Sequence, residues 1–510
     1  MNSLIYSNMK DVKKILIGIC GLMLFVLSSC DLATHPYDGK SSEQALDTVQ
    51  GLEAATRGNY QVLVGGDSYY YYAKHLFYMN EFPGDNVSLA GTTTDPLFYA
   101  YNYEHIKNMG NAERLWRDGY KIIAGANKVI DAIGDQSSTE YDQIKGENLF
   151  LRAMVHHQLV SIFGRPYVQN PQQNLGVPIV DFTDVEKRPK RATVAEVYDF
   201  IIDDLKTAAS LMTKQKNSSF ASTEAAYALL SRVYLNMDKN KLAREYANKV
   251  INSNRYQLVD TPTFREYFTI PNENNPETIF AIKHTEENDH GYGNIGSMYL
   301  KGDDGVGWGE MYASESYRDA LGRYEDDARH AFIEPQYKRD DDGNIITDPN
   351  GDPVLEKRNG YPKYYVNKFS YQSGIVSLSS PVVLRLAEMY LNRAEANAKI
   401  GNNDQAVIDD VNRIRKRAGL SGSELYTVGN YKHHSSLLDV VLEERRLELA
   451  FEGHRKYDLL RNDRPIERNY PGTHLDPGQT TQVIQPSDPR VVFFIPESEM
   501  QLNENLEQNP

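Results

Sequence analysis

Apolar residues recur every three or four positions through long stretches of the chain, the period of a helix that buries one face. Between residues 111 and 133, Ile122, Ala126, Val129 and Ile133 fall four, three and four apart. Between 141 and 163, Leu151, Val155, Leu159 and Ile162 follow the same rule, and Gly164-Arg165-Pro166 ends the run. A third helix is expected from Thr193 to about Met212. Thr193 and Glu196, three residues apart, form the sequence of a capping box, in which each side chain satisfies a free backbone N–H of the first turn.

Two later segments share one pattern at a fixed offset. Tyr227, Ser231 and Ala243 match Tyr390, Ala394 and Ala406 in spacing. Each copy predicts a helix, a polar turn (237–240 and 401–403) and a second helix, with small residues where the two approach. That layout resembles a tetratricopeptide pair. Between the copies the helical period fades, and residues 284–322 are rich in Gly, Asp and Tyr. Residues 344–356 predict a hairpin, with Ile345-Ile346-Thr347 and Pro353-Val354-Leu355 flanking Asp348-Pro349-Asn350-Gly351-Asp352. A loop region of this length is usually functional or disordered, and its aromatic content argues against disorder.

The start of the chain follows a different logic. Lys10, Lys13 and Lys14 precede a nearly unbroken apolar run, 15–27. That run falls short of the about 20 residues that span a bilayer but suits a signal segment. Met9 opens this segment better than Met1, because 1–8 carries no charge. Leu27-Ser28-Ser29-Cys30 then resembles a lipobox. The resemblance implies cleavage before Cys30 and acylation of Cys30, whose acyl chains anchor the protein to a membrane. Residues 31–40, polar and holding Pro36 and Gly39, predict a tether. The expected division is therefore 1–29 signal peptide, 30–40 lipid anchor and tether, and 41–510 a single domain with a loop-rich insertion at about 260–380.

Composition narrows the chemistry. The 510 residues carry a formal charge of −15, and loss of the signal segment, with its net +2, leaves about −17. Such a balance argues against nucleic acid and anionic lipid as partners. Of the two cysteines, Cys20 lies in the apolar run and Cys30 is the anchor. The exported body is thus expected to have no disulfide, cysteine nucleophile or thiolate metal site. Tyrosine stands out at 35 residues against 17 Phe and 2 Trp. Its apolar face and polar tip suit wet recognition surfaces.

Catalytic signatures such as HExxH, GxSxG or a P-loop do not occur. The chain is therefore not expected to be an enzyme, and no catalytic residue, metal or cofactor is assigned. Asp340-Asp341-Asp342-Gly343-Asn344 resembles part of a calcium loop, but Lys338 stands where another ligand would be needed. His156 and His157 are adjacent on a helix and point apart. The densest charged motif runs from Glu443-Glu444-Arg445-Arg446 through Glu448, Glu452 and Arg455 to Asp458 and Arg461. Arg–carboxylate bridges that orient a C-terminal segment are the expected role.

That same motif resembles the C-terminal signature of the SusD/RagB family of Bacteroidetes outer-membrane lipoproteins. Other pieces agree in order: Trp116 to Asp131; Gly146-Glu147 to Ala153 with Phe163-Gly164-Arg165-Pro166; Arg385 to Ala396; Asn412 to Leu420; and the ending Phe494-Ile495-Pro496 to Gln508-Asn509-Pro510. The resemblance implies a mainly α fold, tetratricopeptide-like helix pairs forming a scaffold whose irregular loops and short β-hairpins carry the ligand site. It implies a cell-surface lipoprotein that sits as a lid on a SusC-like TonB-dependent outer-membrane transporter. Such a protein captures a nutrient, most often an oligosaccharide, and delivers it without cleavage. Peptide capture is the alternative within the architecture, and a surface glycosidase the alternative from another class.

Sugar rings present apolar C–H faces to aromatic platforms and hydroxyls to Asp, Asn and Arg. Two regions concentrate these types and correspond in order to the family's ligand-contacting segments. One holds Asp67, Tyr69 to Tyr72, Glu81, Asp85 and Asn86; the other Tyr292, Asn294, Tyr299, Trp308, Glu310 and Tyr312. Trp308, set among Gly305, Gly307 and Gly309, is the first choice for ligand contact. Tyr292, Tyr299, Tyr312, Asn294, Tyr70, Tyr72, Asp67, Asp85 and Asn86 complete the predicted site.

Overall fold

The helical period of the sequence becomes fifteen α-helices in the computed structural model, which describes residues 45–66, 71–91, 93–303, 305–401 and 403–510. The signal segment, Cys30, the tether, Asp67 and Tyr70 lie outside the described residues. Helices α1 (Val49–Val64), α2 (Tyr72–Glu81) and α3 (Leu97–Asn102) precede the long pair α4 (Gly110–Ile133) and α5 (Thr139–Phe163). Next come α6 (Val194–Leu211), α7 (Thr223–Asn236) and α8 (Asn240–Ile251). The short α9 (Thr261–Arg265) and α10 (Glu315–Leu321) lie in the loop-rich stretch. They are followed by α11 (Leu386–Ile400), α12 (Asp404–Arg417), α13 (Leu437–Glu448), α14 (Arg455–Leu460) and α15 (Glu497–Leu502). Described strands are at most four residues long and pair only in twos. The fold is mainly α, of the tetratricopeptide-like kind. No described helix is long and apolar enough to cross a membrane.

From α4 to α8 each helix packs on the next, α8 packs on α11, and α11 packs on both α12 and α13. The apolar positions that predicted α4 and α5 are all buried. The capping box opens α6: Thr193 N donates to Glu196 Oε2 at 2.8 Å, and Glu196 N to Thr193 Oγ1 at 3.2 Å. Helix α5 is the centre, buried on nearly every face. Gly146 lets it approach α6; a Cβ there would lie 2.6 Å from Met212 Cγ. Its interior polar groups are paired, as burial demands. Arg152 holds Asp204 through two bonds of 2.8 and 2.7 Å. His156 Nδ1 lies 2.8 Å from Arg152 O, while His157 faces Asn236, so the two imidazoles do diverge.

The repeated pair differs between its copies. In α7–α8, Ser231 Oγ donates to Ala243 O at 3.0 Å and both residues are buried, the close crossing expected. In α11–α12 the buried residues after the turn are Val407 and Ile408, and Ala406 stays half exposed. There Ala394 shares a buried cluster with Val407 and Ile408 instead. The predicted hairpin closes through a Thr347–Pro353 bridge, with Asp348 N donating to Asp352 O at 2.8 Å. The Asp340 carboxylate accepts from the backbone N–H of Asp342 and Asn344, so it serves its own turn.

The charged C-terminal motif forms an interior lattice. Glu444, Glu448 and Glu452 present three carboxylates along one line of α13 and the turn after it. Glu444 accepts from Arg329 (2.7 Å) and Arg415 (2.8 Å). Glu448 is bonded by Arg385 and Arg417, with Arg329 at 3.8 Å. Glu452 accepts from Lys368 and Arg385, each at 2.8 Å. On another face Arg445 pairs with Asp458 at 3.0 Å and Arg461 bonds Glu395. Every one of these side chains is almost fully buried. Arg329 and Lys368 come from the loop-rich stretch and Arg415 and Arg417 from α12, so the lattice clamps those loops onto the helical scaffold.

One interior cation has no such partner. Lys456 is buried, its Nζ has no hydrogen-bond partner among the described residues, and the rings of Tyr457 and Phe493 lie 5.5 and 5.3 Å away. Burial lowers its pKa to about 7. Above that pH the folded chain keeps Lys456 neutral while the unfolded chain stays protonated up to about pH 10.4. The destabilisation is therefore complete below pH 7 and fades as pH rises from there to the unfolded value. Lys456→Met is expected to raise the unfolding free energy by about 2–4 kcal/mol at pH 6. Denaturant unfolding at pH 6 and pH 9.5 checks this; an equal or larger gain at the higher pH would contradict it.

Candidate functional site

Trp308 owes its position to backbone geometry. Trp308 N and Gly309 N both donate to Ser297 O, at 2.6 and 3.0 Å, and Glu310 N donates to Met298 O at 2.9 Å. The following residues, Met311–Ala313, pair antiparallel with Val87–Leu89. Gly307 has φ 101°, and a Cβ there would lie 2.1 Å from Leu300 O. Only glycine fits that close turn. The chain is thus pinned on both sides of Trp308 while the indole is 49% exposed.

Tyr292 completes an aromatic surface. Its ring is 43% exposed and lies 5.3 Å from the Trp308 ring at 53°. The Tyr292 hydroxyl donates to Gly305 O at 2.7 Å, which ties the two loops together. Beneath Gly309 lies Tyr365, which packs with Tyr312, Ala90 and Leu300 in a small buried cluster. Burial raises the Tyr312 phenol well above its ordinary pKa and Tyr365 to about 12, so both keep their protons at neutral pH. Polar groups flank the platform. Glu310 Oε1 meets Arg358 Nη2 at 2.6 Å, and Asn359 Nδ2 donates to Ala90 O at 2.9 Å.

Of the ten predicted ligand residues, Trp308 and Tyr292 are exposed and together. Six are interior, which corrects their assignment as ligand contacts. Tyr72 is buried in α2 and donates to Gln158 Oε1 at 2.7 Å. Tyr299 lies among Tyr78, Phe82, Phe369 and Phe451. Tyr312 forms the floor just described. Asn294 spends its side-chain oxygen on Gly296 N. Asp85 is bonded by Arg455 at 2.8 Å and faces Arg446 at 3.4 Å. Burial would raise its pKa, but those two arginines outweigh burial and hold it well below the usual carboxylate range. Asn86 bridges Glu81 and Arg446.

Asp67 and Tyr70 lie outside the described residues, but their neighbour Tyr71 does not. It stacks on His290 at 4.2 Å and 14°, which brings Tyr71 against the start of the Tyr292 loop. Arg358, Asn359 and Tyr361 lie near the platform without being among the predicted residues. A signal for them existed: Asn359-Gly360 lies between Arg358 and Tyr361, which pair as a tight hairpin with φ 50° and 89° at the turn. Asn-Gly is the strongest short-range sign of such a turn.

Comparison with known proteins agrees with this architecture. Residues 54–235 match a family model described as starch-binding associating with outer membrane, and residues 261–510 match the model of the SusD family. A SusD-like protein of Formosa agariphila is 26% identical over 472 residues, covering 88% of this chain and 91% of the relative. The crystal structure of a SusD superfamily protein from Bacteroides thetaiotaomicron superposes with a TM-score of 0.79 at 28% identity, covering 91% of this chain and 100% of that one. A second, from Bacteroides vulgatus, is described as a candidate sugar-binding protein; it superposes with a TM-score of 0.75 at 26% identity, covering 91% and 98%. With residues 54–235 and 261–510 matched in order and the fold shared over 91% of the chain, the chain belongs to the SusD/RagB family.

Proposed function

We propose that this chain is a nutrient-binding lipoprotein of the outer-membrane surface. It is tethered through Cys30, captures oligosaccharide on the Trp308–Tyr292 platform and delivers it to a SusC-like TonB-dependent transporter without cleaving it. The observation that carries this reading is the exposed indole of Trp308 on a pinned loop. A large apolar ring held in water by a rigid backbone is suited to meet an apolar face of a ligand. The Glu310–Arg358 pair and Asn359 supply polar groups close to it. The description of the family model matched by residues 54–235, starch-binding associating with outer membrane, supports the same ligand class.

The chemistry around the platform favours binding over hydrolysis. Glycoside cleavage needs two carboxyl groups across the scissile bond. Glu310 is engaged by Arg358, and Glu81 and Asp85 are buried behind the loops. Burial pushes Glu81 up to about 7, but it accepts from Phe451 N and Gly453 N in the interior. The loop-rich stretch at about 260–380 is, on this proposal, the ligand-binding insertion of one domain, preceded by a signal peptide (1–29) and a tether (30–40).

Incubation with a panel of oligosaccharides, followed by affinity measurement and chromatography of the recovered sugar, tests the proposal. At least one oligosaccharide is expected to bind and to be recovered at its original length. Shortened products would replace binding by hydrolysis, and binding of peptides alone would replace sugar by peptide.

A further inference from the structure

Away from the Trp308 platform, three metal-ligating side chains converge. His433 and His434 lie in the turn before α13, and Glu443 lies on that helix. Lys432, with φ 55°, bends the chain just before them. In this turn the adjacent imidazoles do not diverge as His156 and His157 do on α5. Their ring centroids are 4.0 Å apart, and both Nε2 atoms face the Glu443 carboxylate. His433 Nε2 lies 3.3 Å from Glu443 Oε1, and His434 Nε2 lies 3.2 Å from the same oxygen. A tetrahedral zinc ion with ligands at about 2.0–2.1 Å separates neighbouring ligand atoms by about 3.3 Å. Both separations match the edge of that tetrahedron.

The fourth member of the cluster is Arg323. Its Nη1 lies 2.7 Å from His433 Nε2 and 2.7 Å from Glu443 Oε2. A guanidinium only donates, so in this contact His433 Nε2 is the acceptor. A positive N–H group therefore sits against one of the three prospective ligand atoms and against the second oxygen of the same carboxylate. The Arg323 side chain is 46% exposed and free to swing into solvent, and an exposed pair of this kind holds weakly.

We propose that His433, His434 and Glu443 form a zinc site, with Arg323 as the displaceable cation that occupies it in the metal-free chain. Three protein ligands leave one position open for water or an external donor. Two imidazoles select a transition metal over calcium or magnesium, which take oxygen ligands. The ion would fasten the turn at 432–436 to the body of α13.

Titration of zinc chloride into the full chain in detergent, followed by calorimetry, tests the site. One ion per chain is expected. His433→Gln, at an exposed position that leaves the fold intact by circular dichroism, is expected to weaken binding by about tenfold or more. Arg323→Gln is expected to tighten it, because the competing cation is gone. Zinc binding that is the same in the wild type and His433→Gln, or no stoichiometric binding by the wild type, would overturn the site. Unchanged affinity in Arg323→Gln would overturn the role given to Arg323.

Discussion

Replacing Glu448 by glutamine is expected to lower the unfolding free energy by about 3–5 kcal/mol, the loss seen when one partner of a buried ion pair is removed. Glu448 is 0% exposed, with Arg385 and Arg417 bonded to it and Arg329 at 3.8 Å. Glutamine keeps the shape but brings two N–H donors and no charge to a place lined with donors. Arg417, whose other carboxylate contact is Glu277 at 3.3 Å, is left poorly compensated in the interior. Denaturant unfolding of the two chains measures the difference. Arg490→Ala, which breaks the exposed pair with Asp488, is the contrast and is expected to change stability by under about 1 kcal/mol. A Glu448→Gln loss as small as that would mean the lattice is not what holds the loops to the helices.

The same residue fixes a pH dependence. Burial alone would raise the Glu448 pKa, but Arg417, Arg385 and Arg329 together hold it well below the ordinary carboxylate range. Its stabilisation is therefore complete above the unfolded value of about 4.3 and is lost as pH falls below it. Glu448→Gln has no such contribution to lose. The stability gap between the two chains is expected to be widest near neutral pH and to narrow on acidification.

What could be read from the sequence follows from the range of each interaction. Helices α4, α5 and α6 were legible because the three-to-four spacing of Ile122, Ala126, Val129 and Ile133, or the capping of Thr193 by Glu196, is decided within one or two turns. The lattice was legible as charge but not as location. Asp85 and Asn86 looked like surface ligands for sugar because their partners are Arg455 and Arg446, 370 and 360 residues later in the chain. Nothing local marks a carboxylate that such arginines will enclose. The tyrosines failed for a related reason. Tyr292, Tyr299 and Tyr312 share a composition, yet one faces solvent and two face the core, and only the loop turns around them decide which. The exposure of Trp308 was legible because the glycines around it constrain the backbone itself.

Trp308→Ala is the decisive substitution for the binding surface. The indole is half in water, and the bonds that shape its loop run through Trp308 N, Gly309 N and Ser297 O, which alanine retains. Circular dichroism and the unfolding midpoint are therefore expected to stay unchanged. Loss of an aromatic anchor at the centre of a binding surface removes about 2 kcal/mol or more, so affinity for the oligosaccharide found in the panel is expected to fall at least about thirtyfold. Tyr299→Phe separates this placement from the wider set of tyrosines. Its hydroxyl is buried without a hydrogen-bond partner among the described residues, so its removal is expected to leave binding as it was. Unchanged affinity in Trp308→Ala would move the site off the platform. Equal losses in both variants would mean that binding follows the packing of the loops rather than contact with the indole. Only a loss confined to Trp308→Ala makes that ring the surface on which the ligand rests.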